Sequence, residues 1–63
     1  MDLDSFIRSI KFPTQEMLED TLLKLRNESI IMEQVSSLTK EECEEIGLSI
    51  GTFEILMTAV KVR

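Results

Sequence analysis

The 63-residue chain has no histidine, no tryptophan, no tyrosine and a single cysteine. One thiol, Cys43, rules out an internal disulfide. Without histidine, that thiol has no companions for a structural zinc site. No cofactor is expected, so the chain folds on apolar packing alone or with a partner. Proline occurs once and glycine twice, and Pro13, Gly47 and Gly51 all sit where a helical pattern changes. No apolar run approaches the roughly 18 residues of a transmembrane helix. Basic side chains are also scarce, with seven against twelve acidic ones and a formal charge of −5. Nucleic acid is not the expected partner, because phosphate binding needs clustered Lys and Arg. Anionic membrane is disfavoured for the same reason. The acidic start, Met1-Asp2-Leu3-Asp4, does not read as a signal peptide. One free thiol and no targeting segment point to an intracellular compartment, cytoplasmic or nuclear.

What is present suffices for one small domain, residues 1–63. Domains rarely fall below about 50 residues, and one this small buries only about 60% of its unfolded surface. At 43% hydrophobic and 30% charged, the composition is that of a folded chain rather than a disordered one.

Leu3, Phe6, Ile7 and Ile10 fall at i, i+3, i+4 and i+7, the spacing of an amphipathic helix. Asp2 or Asp4 can cap its start. Pro13 biases Phe12 out of the helical region, so this helix is expected to end near Lys11. Thr14 then caps a second helix reaching about Arg26, with Leu18, Leu22 and Leu25 inward and Met17 and Leu23 flanking. Asn27-Glu28-Ser29 reads as a break. Ile30, Ile31, Met32 and Val35 are too apolar for an open loop. A short helix is preferred over an edge strand, since nothing else in the chain could pair with a strand.

Thr39-Lys40-Glu41-Glu42 is a capping box, the strongest local signal. It opens a fourth helix, Lys40 to Ile46, with Leu38, Cys43 and Ile46 inward. Gly47 stops it, and Leu48, Ser49 and Ile50 form a tight connection. The last helix starts at Gly51 or Thr52, runs to the end of the chain and reads as the longest. Phe53, Leu56, Met57 and Val60 make its inner face. The expected fold is an all-α, compact five-helix bundle with a long C-terminal helix.

Catalysis finds little support. The one thiol has no base near it in sequence, and acidic residues on a solvated helix face need no catalytic reason. The chain is therefore read as not an enzyme. Cys43 reads as a small buried hydrophobe, and the methionines Met1, Met17, Met32 and Met57 as gap filling. Phe53 has two readings, core residue or exposed aromatic anchor of the kind enriched at binding hot spots. The acidic run Glu41, Glu42, Glu44 and Glu45 is either a solvated helix face or part of a binding surface.

The run Leu38-Thr39-Lys40-Glu41-Glu42-Cys43-Glu44-Glu45-Ile46-Gly47-Leu48, then Gly51, then Leu56-Met57-Thr58-Ala59-Val60, resembles the sterile alpha motif (SAM) domain. Phe6-Ile7-Arg8-Ser9-Ile10-Lys11-Phe12 is similar to that family's opening helix. Met17 to Leu25 matches its second helix, and Ile30 the apolar residue opening the third. The resemblance implies a protein–protein interaction module in a scaffold or signalling protein. SAM domains often pair head to tail, an acidic mid-loop surface meeting a basic surface at the start of a neighbour's fifth helix. The acidic half implied here comprises Glu41, Glu42, Glu44 and Glu45, extended by Asp20, Glu28 and Glu33. The residues at the start of the fifth helix are Thr52, Phe53 and Glu54, where many members carry basic side chains.

The expected function is hetero-association through the acidic surface with another domain, of SAM type, and at most weak self-association. Two alternatives remain open from the sequence: a structural module that homodimerises or oligomerises through exposed apolar residues, and an RNA-hairpin-binding SAM domain.

Overall fold

A computed structural model describes residues 2–62. Met1 and Arg63, both weighed above, lie outside the described residues. Five helices follow in order: α1 Leu3–Ser9, α2 Gln15–Asn27, α3 Met32–Val35, α4 Lys40–Glu45 and α5 Ile50–Lys61. The protein is all-α, with no strand among the described residues.

Side-chain oxygens start four of the five helices. Asp2 accepts from the Ser5 N–H at 2.8 Å, Thr14 from Met17 at 3.1 Å, Thr39 from Glu42 at 3.1 Å and Ser49 from Thr52 at 3.2 Å. Each satisfies a backbone donor that the first helical turn leaves unpaired. The Thr39 capping box is complete, since the Thr39 N–H donates to Glu42 Oε1 at 3.0 Å. Ile31 precedes α3 and has no oxygen to offer. Only the returning half of a box is made there, from the Ile31 N–H to Gln34 Oε1 at 3.0 Å.

Two helix ends share one geometry. After α4, Gly47 adopts a left-handed φ of 93°. Its N–H donates to the Glu44 carbonyl at 3.1 Å, and the Leu48 N–H to the Cys43 carbonyl at 2.8 Å. This is a Schellman motif with glycine in the left-handed slot. After α2 the same pair of bonds recurs, from Ser29 to Arg26 at 3.0 Å and from Ile30 to Leu25 at 3.0 Å. There the left-handed residue is Ser29, at φ 57°, whose Cβ makes that conformation costly.

The core holds Phe6 and Ile7 from α1, Leu18, Leu22 and Leu25 from α2, Val35, Cys43, Leu48 and Leu56. Burying a side chain such as Ile7, Leu25 or Leu56 contributes about 1.5–3 kcal/mol. Two threonines are buried with them. The Thr21 hydroxyl donates to the Met17 carbonyl at 2.8 Å, and Thr52 Oγ1 lies 3.1 Å from Ser49 Oγ. A hydroxyl satisfied within its own helix or cap loses little on burial.

Several boundaries differ from the sequence reading. α1 stops at Ser9, two residues before Lys11, because the Ser9 hydroxyl takes the Phe6 carbonyl at 2.6 Å and Ile10 is already extended. α5 begins at Ile50 rather than Gly51 or Thr52, because Ser49 caps it. α2, at 13 residues, is one longer than α5, at 12, so the last helix is long but not the longest described. Ile31 is 54% exposed, against the expectation that it needed cover. Leu48, assigned only to a connection, is a core residue at 4% exposure, drawn inward by the turn at Gly47.

Candidate protein-docking groove

The end of α2, α3 and the inner edge of α4 enclose a groove of about 470 Å³. Its apolar floor is Ile30, Leu38 and Ile46, each partly buried against the core. Glu28, Glu42 and Glu45 stand around it with Gln34, Ser29 and Ser37. The Ser29 turn brings Glu28 and Ile30 to the groove together. Leu38, Glu42, Glu45 and Ile46 fall at i, i+4, i+7 and i+8, the spacing of one helix face.

Two polar groups of the groove are held in place by capping. Glu42 commits Oε1 to the Thr39 N–H, and Gln34 commits Oε1 to the Ile31 N–H. Glu28 and Glu45 have no ion pair among the described residues, whose salt bridges involve Arg8 with Asp4 and Glu19, and Lys24 with Asp20. The groove rim therefore carries uncompensated negative charge. Its three carboxylates do not converge as metal ligands.

The residues singled out from sequence divide among several places. Glu28, Glu42 and Glu45 meet at the groove. Glu41, Glu44 and Glu33 are exposed on α4 and α3 but do not line it. Asp20 turns to Lys24, 2.9 Å away. Thr52, expected from sequence as a contact residue, is instead buried at 4% exposure; its side chain closes the cap of α5 and offers no surface to a partner. Phe53 packs against the core with part of its surface accessible. Glu54 is exposed and lines a different groove, between α1 and α5.

Cys43, the neighbour of Glu42, is fully buried. Burial pushes its thiol pKa up, and the Glu42 charge adds to the effect. Both oppose the thiolate that a nucleophile or metal ligand needs.

Sequence reasoning missed the double use of Leu38 and Ile46, which it assigned to the core alone. It also missed Gln34 and Ser37; for Gln34 the available signal was its place three residues after the residue that opens α3. Set against models of known families, curated proteins and solved structures, the chain matches none.

Proposed function

We propose that this chain is a protein–protein interaction module that hetero-associates through the acid-rimmed groove, taking a basic surface with an apolar centre. The observation that carries the reading is the arrangement of Glu28, Glu42 and Glu45 around Ile30, Leu38 and Ile46. Interfaces of this kind pair a small apolar core with a polar rim. Unpaired rim charges steer encounter and set partner choice more than affinity. The SAM resemblance supplies the kind of partner, another SAM domain whose fifth helix opens with basic residues. In this chain the corresponding run, Gly51-Thr52-Phe53-Glu54, has no base, and Thr52 is buried. Open head-to-tail polymers of a single chain are therefore disfavoured.

The test is NMR titration of the labelled chain with a panel of SAM domains carrying basic fifth-helix starts. Shift changes are expected at Glu28, Leu38, Glu42, Glu45 and Ile46, weakening with salt. Glu28→Lys/Glu45→Lys is expected to abolish them with the fold retained. Binding that maps elsewhere, or that survives the double reversal, refutes the reading.

A further inference from the structure

α5 is apolar on more than its core side. Of its twelve residues only Glu54 and Lys61 are charged, whereas α2 carries five charges in thirteen, at Glu16, Glu19, Asp20, Lys24 and Arg26. Leu56 faces the core at 0% exposure. A second stripe, Gly51, Ile55 and Ala59 with the C-cap residue Val62, advances at i, i+4, i+8 and i+11 along the flank beside the core face. With Ile10 at the end of α1 it lines a groove of about 680 Å³. Val62 in this groove is 79% exposed. Ile10 and Ala59 pack partly against the core and Ile55 is half-buried, whereas Gly51, Thr58 and Val62 are exposed, so this apolar flank is covered only in part, where an apolar helix face is normally buried.

The charges of this groove indicate what covers it. Lys11 stands on the α1 side and Glu54 on the α5 side. They have opposite signs, and neither forms an ion pair among the described residues. A rim of one sign calls for a different molecule, as at the acidic groove. A rim with one charge of each sign complements itself when turned about a two-fold axis.

We propose that the α1–α5 groove is where a second copy of this chain docks, two-fold symmetrically, with Lys11 of each copy meeting Glu54 of the other across the apolar stripe. Gly51 and Ala59 let the two backbones come close. A contact in which the same patch serves both copies is closed, so it gives a dimer and no filament. The dimer groove shares no residue with the acid-rimmed groove. Each dimer thus offers two acidic grooves, and a partner with two basic sites gains from effective concentration.

The experiment is sedimentation velocity with native mass spectrometry, on the chain at concentrations up to about 1 mM. A monomer–dimer equilibrium without larger species is expected. Thr58→Arg adds bulk at an exposed position of the groove and is expected to weaken dimerisation at least about tenfold, with helical circular dichroism unchanged. Lys11→Glu and Glu54→Lys should each weaken it about fivefold, and the double exchange Lys11→Glu/Glu54→Lys should return it to within about twofold of the parent. A chain monomeric throughout overturns the proposal. So does a dimer indifferent to Thr58→Arg, or a double exchange as weak as the single ones. Any of these leaves the acidic-groove reading standing, since the NMR titration reads other residues.

Discussion

The Lys24 ammonium donates to the Gly47 carbonyl at 2.9 Å across 23 residues of sequence. It also pairs with Asp20, one turn back on α2, at 2.9 Å. The lysine thus ties the last turn of the second helix to the left-handed turn that ends the fourth. Its aliphatic stem covers that turn as well, lying 3.4 Å from where a Cβ on Gly47 would sit. Lys24→Met keeps most of the stem and removes the charge. Since the pair is partly exposed, the expected loss is about 1 kcal/mol, read as a lower midpoint in urea with an unchanged slope. An unchanged midpoint would mean that water replaces the ammonium at no cost.

The two matching helix ends predict opposite responses to glycine and alanine. Ser29→Gly relieves a left-handed serine and should stabilise the chain by about 0.5–1 kcal/mol. Gly47→Ala forces a Cβ into a φ of 93° and should destabilise it by about 1–2 kcal/mol. Thermal melts of both variants beside the parent check the signs. Two changes in the same direction would remove the left-handed turns as the cause.

Stability should fall at both ends of the pH scale, for separate reasons. Asp2 has its pKa lowered from the ordinary value of 3.8, chiefly by the Ser5 backbone hydrogen bond. A depressed carboxyl stabilises the fold above its unfolded value, and the contribution is lost as pH falls through the folded one. Cys43 has its pKa raised from 9.0, chiefly by burial. Folding then favours the neutral thiol. The stability is complete below pH 9.0 and declines as pH rises from there toward the folded value. Denaturation series with Asp2→Asn and Cys43→Ala should flatten the acid and the alkaline limb respectively. The native thiol should also react with aromatic disulfides only as fast as the core opens. Rapid, stoichiometric labelling of the native chain would contradict its burial.

Most of the helix pattern was legible because capping is local. Asp2, Thr14 and the Thr39–Glu42 box each act within three residues, and all three start their helices. Ser49 followed the same rule but was obscured by Gly51, which reads as a breaker although a first-turn glycine costs little. Ser29 in the left-handed slot had no glycine to announce it. The acidic residues were legible as a run along the chain, but a run does not give a direction in space. Glu42 and Glu45 reach the groove, whereas Glu44 is turned about 100° from Glu45 and Glu41, although on the same face as Glu45, sits a turn earlier and does not line it. Thr52 was named for its position and lost to the interior, since its hydroxyl finds a partner in Ser49. The second apolar stripe of α5 was not read from the sequence, which yielded only the inner face of Phe53, Leu56, Met57 and Val60; the placement of α1 beside α5 brings it together with Lys11 and Glu54.

The acid-rimmed groove is assembled from the shortest pieces of the molecule. α3 is a single turn of four residues and α4 has six, far below the length at which a helix persists alone in water. The groove therefore exists only while the whole domain is folded, and whatever occupies it binds the native state alone. Occupancy at a hundred times the dissociation constant adds about 2.7 kcal/mol to the unfolding free energy. For a chain of 63 residues, with little apolar surface in reserve, that is a large share of its total stability. If the groove takes a partner as proposed, the steady-state amount of the domain should rise and fall with the supply of that partner.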